Sequence, residues 1–136
     1  MGGADEVRVM LGVRSIPDER SREPLLGRIL ALGPTTAVVT LGPDGAVAAR
    51  RGASEVRRPA HPVPSVLDPI GAGDAFAAGL IAGLLEDEAL EGAVDMGIAG
   101  AASVLSSVGD MTGLPDRREL DELLADDRDP ARDTKR

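Results

Sequence analysis

The feature that most limits what this chain can fold into is the run over residues 71–85, where two glycines and an aspartate lead into a segment apolar on every helical face. No polar side chain stands between Ala75 and Leu85. A helix of that kind offers no side to water and is normally buried all round, yet the chain holds too little sheet to cover it. Gly79 and Gly83, four apart, thin one side to bare backbone and predict close packing against another element. Just upstream, Gly71-Ala72-Gly73 is a side-chain-poor turn at the mouth of the helix. The first N–H groups of a helix have no intrahelical partner, and its dipole adds partial positive charge there. Together these make a place for an anion, most often phosphate. Asp74 sets a carboxylate beside that place, and an anion hole next to a base suits phosphoryl transfer to a hydroxyl. A plain structural reading also exists, because aspartate is favoured near helix starts and glycine in the turn before.

Two familiar phosphate motifs do not fit. A dinucleotide fingerprint needs a third glycine where Phe76 stands and a clean strand before it, which Pro62 and Pro64 spoil. A P-loop needs Gly-Lys-Ser/Thr, and the only lysine is Lys135. The longer stretch Asp68-Pro69-Ile70-Gly71-Ala72-Gly73-Asp74-Ala75-Phe76 instead resembles the signature of the ribokinase-like (PfkB) sugar kinases, Asp-Thr-x-Gly-Ala-Gly-Asp-x-Phe. The resemblance implies an α/β fold, here the C-terminal portion of a ribokinase-like three-layer architecture with a short sheet, hairpin strands and helices packed on it. It implies an ATP-dependent carbohydrate kinase in which Asp74 is the catalytic base and Gly71, Ala72 and Gly73 form the anion hole.

The rest of the chain can be read in order. Residues 4–11 form a short amphipathic helix with Gly12 as its C-cap. The polar, Pro17-containing segment after it is a loop. Leu25, Leu26, Ile29, Leu30 and Leu32 then give a helical stripe closed by Gly33-Pro34. Ala37-Val38-Val39-Thr40-Leu41 is a continuous apolar run, the mark of a strand buried on both faces. Gly42-Pro43-Asp44-Gly45 turns it into a second strand over residues 46–49. Arg50-Arg51 and Arg57-Arg58 bracket a further, exposed hairpin whose arginines read as solvated edge positions. His61, in a proline-rich loop with no cysteine, second histidine or acid beside it, reads as a bystander. A second helix is expected from about Glu88 to Ser107, a loop over residues 109–115, and a last helix over residues 117–124 with Asp116 as N-cap.

The family resemblance extends over these segments. Thr40, Gly42 and Gly45 match Thr-x-Gly-x-x-Gly, which lines the nucleotide in relatives, where glycines let backbone approach phosphate and ribose closely. Glu6 matches the acid of an Asn-x-x-Glu motif tied to Mg2+, but Gly3 stands where the asparagine belongs. Carbonyls near Asp68 and Gly109 hold a monovalent cation, such as K+, in relatives. An asparagine often found near the position of Gly97 or Ile98 is absent. Gly109-Asp110-Met111-Thr112-Gly113-Leu114-Pro115 followed by Arg118-Glu119-Leu120 is similar to bacterial 2-keto-3-deoxygluconate kinases.

Composition sets outer limits. At 136 residues the chain is one domain's worth, with residues 1–125 read as a partial PfkB-type kinase domain and residues 126–136 as a disordered charged tail. Phe76 is its single aromatic residue, so the core is built from small aliphatics. With no cysteine, neither disulfides nor thiolate metal sites are available. Charges at Asp5 and Glu6 predict that no signal peptide opens the chain, and a cytoplasmic setting follows. A net charge of −8 argues against nucleic acid or an anionic membrane as partner. The resemblance covers only the family's C-terminal part, so the expected partners are a sugar or sugar-acid substrate and either a complementary N-terminal portion or a second copy. A degenerate, non-catalytic nucleotide-binding or interaction fragment is the alternative, suggested by Gly3.

Overall fold

The computed structural model describes residues 1–12, 23–108 and 113–127. Expectations for the loop after Gly12, for residues 109–112 including Gly109, and for the tail beyond Asp127 lie outside the described residues. The chain divides into two compact units, Met1–Ala60 and His61–Arg136.

In the first unit, β1 (Gly2–Gly3), α1 (Ala4–Leu11), α2 (Glu23–Ala31), β2 (Thr36–Thr40), β3 (Ala46–Arg50) and β4 (Val56–Arg58) follow in chain order. The four strands form one mixed sheet in the order β1-β2-β3-β4, parallel between β1 and β2 and antiparallel elsewhere. Ala37, Val39, Val47 and Ala49 share the face on which Val7 of α1 and Leu25 and Leu26 of α2 pack. The opposite face of the same strands, Val38, Ala46, Ala48 and Val56, is buried as well, as the unbroken apolar run predicts. Gly12 ends α1 in the left-handed region at φ 65°, the expected glycine C-cap.

Two details differ from expectation. Gly2 and Gly3 pair with Val39 and Thr40 as a short parallel strand, which glycines do not signal because they bring no side chain to pack. Arg51 is exposed, as expected of these arginines, but its guanidinium is engaged by the protein. Its Nη2 donates to the carbonyls of Leu30, Gly33 and Pro34 at 3.0, 3.1 and 3.2 Å. It thereby places a cation at the end of α2 and the turn that follows it, where the helix dipole favours one.

The second unit is helical: α3 (Ala72–Leu85), α4 (Leu90–Leu105) and α5 (Arg117–Asp127). α3 and α4 pack by exchanging bare backbone. A Cβ at Gly79 would lie 2.4 Å from the Met96 carbonyl oxygen, and one at Gly83 2.7 Å from the Ala93 Cα. Reciprocally, a Cβ at Gly97 would meet the Phe76 carbonyl oxygen at 2.9 Å, and one at Gly100 that of Ala75 at 3.0 Å. The ridge expected on α3 therefore exists, and α4 carries a matching one. α3 is not buried all round: Ile81 is 54% and Leu85 80% exposed. α5 opens on Asp116, whose Oδ1 accepts the Glu119 N–H while Glu119 Oε2 accepts the Asp116 N–H, both at 2.8 Å. This reciprocal pair is a capping box, and it confirms Asp116 as N-cap. α5 runs through Asp127, past the boundary expected at Ala125. Among the described residues, no helix is long and apolar enough to cross a membrane.

Candidate anion-binding helix start and nucleotide-lining turn

The start of α3 is set by glycine chemistry. Gly71 is its N-cap at φ 82°, a left-handed conformation that costs a side-chain-bearing residue about 1–2 kcal/mol. The segment leading to it is tied down at two points. Leu67 N–H donates to the Leu105 carbonyl at the end of α4, at 2.9 Å. Asp68 Oδ1 accepts the Ile70 N–H at 2.9 Å, an Asx turn of the kind aspartate makes before proline. This use of the Asp68 side chain is signalled by the dipeptide Asp68-Pro69.

The first α-helical hydrogen bond of α3 runs from the Ala75 N–H to the Gly71 carbonyl at 2.9 Å. The Gly73 and Asp74 amides precede that ladder, so they are the donors this helix start presents. The Ala72 amide, also expected in the anion hole, closes the turn on the Pro69 carbonyl at 3.4 Å. That is a long bond, at the edge of useful geometry. Space is available at the right place: a Cβ added to Gly73 meets nothing within 4 Å, and both Gly73 and Asp74 are exposed. Asp74 sits in the first turn, where the dipole favours a carboxylate.

In the first unit the structure gathers Gly3, Glu6 and Thr40, and after Thr40 the turn that carries Gly42 and Gly45. That turn is a short 3₁₀ segment, Gly42–Asp44, closed by the Leu41 N–H donating to the Gly45 carbonyl at 2.8 Å. Gly42 has φ 61° and nothing within 4 Å of where a Cβ would be, so its backbone is open to approach. Gly45 is glycine for a different reason. At φ 87° its Cβ would stand 2.1 Å from the Arg58 carbonyl oxygen, so this residue holds the turn against β4. Glu6 Oε2 accepts the Gly3 N–H at 2.9 Å, and Thr40 Oγ1 lies 3.8 Å from where a Gly3 Cβ would be. No group of three or more His, Cys, Asp or Glu side chains among the described residues could hold a metal ion. Gly97 and Ile98, where relatives often place an asparagine, are both buried, and the Phe76 backbone leaves no room for a side chain at residue 97.

These features define an α/β protein with an exposed, glycine-capped helix start and a glycine-bearing strand turn. Comparison with known proteins makes the class specific: residues 2–117 match the pfkB family of carbohydrate kinases, and the chain belongs to that family. It is 36% identical over 107 residues to a 2-dehydro-3-deoxygluconokinase of Bacillus subtilis, covering 79% of this chain and 33% of that protein. The fold superposes on Arabidopsis thaliana ribokinase, a structure complexed with ribose and ATP, with a TM-score of 0.83 at 23% identity over 90% of this chain and 39% of that one. It superposes likewise on Escherichia coli phosphofructokinase-2 in complex with potassium, with a TM-score of 0.79 at 22% identity over 91% of this chain and 39% of that one. The chain thus spans about a third of the length of the curated relatives it matches.

Proposed function

We propose that this chain carries the phosphate-binding and proton-accepting part of an ATP-dependent kinase acting on a hydroxyl of a sugar or sugar acid. The observation that supports this reading most is the start of α3. There a left-handed glycine delivers the Gly73 and Asp74 amides ahead of the helical ladder, with the Asp74 carboxylate exposed beside them. In the reaction the acceptor hydroxyl oxygen bonds to the γ-phosphorus, and the bond from that phosphorus to the β,γ-bridging oxygen breaks, releasing ADP. The hydroxyl proton passes to Asp74. The amides of Gly73 and Asp74 stabilise charge on the transferred group, joined by that of Ala72 once it leaves Pro69. Each such donor is typically worth about 10²–10³-fold in rate. Thr40, Gly42 and Gly45 line the nucleotide, with the open backbone at Gly42 supporting close approach. A monovalent cation held near Asp68 and Gly109 belongs to the same reading, supported by the potassium in the phosphofructokinase-2 complex. A cytoplasmic setting, where ATP is at hand, belongs to it too.

The substrate class rests on the relatives, and a 2-keto-3-deoxy sugar acid is the first candidate. Because the chain spans a third of its relatives, turnover is proposed for it together with a complementary N-terminal portion. The exposed Ile81 and Leu85 on α3 support an additional covering element. The test is ATP-dependent phosphorylation of a small sugar and sugar-acid panel, with the chain alone and with that portion supplied from a relative. Asp74→Asn is expected to lower kcat by about 10²–10⁴-fold while leaving ATP affinity unchanged. Equal kcat for parent and Asp74→Asn refutes the role. A second reading, nucleotide binding without turnover, is favoured by Gly3 in place of asparagine. It predicts ATP binding with no phosphorylated product even when the complementary portion is present.

A further inference from the structure

Asp74 and the uncovered apolar residues of α3 lie on one line. Beyond Gly73, the exposed residues of this helix are Asp74, Ala78, Ile81 and Leu85, spaced by four, three and four. At 3.6 residues per turn, those spacings keep all four within about 60° of the helix circumference and along roughly 16 Å of its axis. The buried residues Ala75, Phe76, Gly79, Leu80 and Gly83 fall on the opposite side, where α4 interlocks with α3. The line is not a face made for water. One carboxylate heads it, three apolar side chains follow, and Ala77, Ala82 and Leu84 beside it add no polar group. A helix without a polar face is normally covered on every side, and a contiguous apolar patch marks an interaction surface.

Charge decides between the two occupants such a stripe could take. Glu86, Asp87 and Glu88 follow Leu85 directly and are all exposed, with Arg117 pairing only with the first of them. An antiparallel second copy of α3 would press Asp74 against these acids, and a parallel one would press each acid against its own counterpart. Like charges brought together across an apolar seam repel, and the chain already carries a net charge of −8. The curated relatives, by contrast, hold a large body of further chain, since this one covers 33% and 34% of two of them. We infer that Ala78, Ile81 and Leu85 seat an apolar element of the complementary portion, and that this element runs up to Asp74 and forms the wall facing its carboxylate. The inference rests on the reading under which such a portion completes the kinase. A cationic flank beside Leu85 fits the same surface, because Asp87 and Glu88 stand there. The base therefore faces water in the chain alone and a protein wall in the assembly.

The test co-expresses the full chain, tagged, with the part of the Bacillus subtilis 2-dehydro-3-deoxygluconokinase that lies outside the match, beside the double variant Ile81→Gln/Leu85→Gln. Glutamine is a good helix former and both positions are exposed, so the variant alone should melt within about 3 °C of the parent. The parent alone is expected to sediment as a monomer and to retain the relative's portion; the variant should retain at least about tenfold less. In the parent complex, carbodiimide labelling of Asp74 and hydroxyl-radical labelling of Ile81 and Leu85 should fall together, while exposed Glu122 of α5 keeps its labelling. Equal retention by parent and variant overturns the inference, as does a parent that retains nothing. A parent dimer that the variant abolishes assigns the stripe to a second copy and overturns it too. Protection of Ile81 and Leu85 with Asp74 labelled as in the free chain refutes the wall. Retention and protection of all three without any phosphorylated product uphold the surface and refute turnover instead.

Discussion

Gly79→Ala should weaken this protein even though the same change usually strengthens a helix. Alanine is favoured over glycine in a helix interior by about 0.8–1 kcal/mol. At Gly79 the added methyl would stand 2.4 Å from the Met96 carbonyl oxygen and 2.7 Å from its carbonyl carbon. Carbon–oxygen contacts begin at about 3.3 Å, so α3 and α4 must separate by close to 0.9 Å. The neighbours are backbone, so no rotamer change can relieve the clash. Overpacking typically costs about 1–3 kcal/mol, and a rigid contact belongs at the top of that range. Set against the propensity gain, a net loss of about 2 kcal/mol is expected, or about 8 °C in Tm for a chain of this size. The internal control is Gly73→Ala in the same helix, where a Cβ meets nothing within 4 Å and no loss is expected. Thermal and urea melts of parent and both variants measure the difference. If Gly79→Ala melts as high as Gly73→Ala, the interlocked-glycine account of the α3–α4 pair is wrong.

Gly45→Ala combines a φ of 87° at a ψ of −129°, outside the regions open to side-chain-bearing residues, with a Cβ 2.1 Å from the Arg58 carbonyl oxygen, so it should cost more than the backbone strain of about 1–3 kcal/mol alone; a urea melt checks it. Arg51→Ala strips the carbonyls of Leu30, Gly33 and Pro34, in the last turn of α2 and just after it, of their shared donor; because the site is exposed, about 1 kcal/mol is expected, seen as a lower urea midpoint at unchanged slope. Asp116→Ala removes one arm of the α5 capping box and should lower stability by about 1 kcal/mol, with circular dichroism reporting fraying of α5.

How much of this was legible in the sequence depends on whether the deciding contact was local. The Gly12 cap, the Asp116 cap, the strand–turn–strand over residues 36–50 and the glycine opening of α3 each follow from residues a few positions apart. Their chemistry is written in the order of the chain. The partners of Arg51 were not foreseen because its three acceptors stand 17–21 residues upstream, where sequence pattern does not show where a long side chain will reach. Gly2–Gly3 was missed as a strand because parallel pairing to β2 depends on the crossover through α1 and α2 and on nothing in the two glycines.

The full apolarity of α3 is a more instructive case. Apolarity on every face states what a helix can bury, while the elements at hand decide how much of it is buried. α4 covers the side that carries Ala75, Phe76, Gly79, Leu80 and Gly83, and the interlocking glycines make that cover unusually tight. Ile81 and Leu85 stay exposed because none of the described residues covers them. The same reasoning orders the candidate site. The start of α3 is fixed by Gly71, the Asx turn of Asp68 and the Leu67–Leu105 bond, all inside one unit, so its amides and the Asp74 carboxylate are placed by local forces alone. That independence is why a phosphate-binding role can be proposed from the residues of this unit alone.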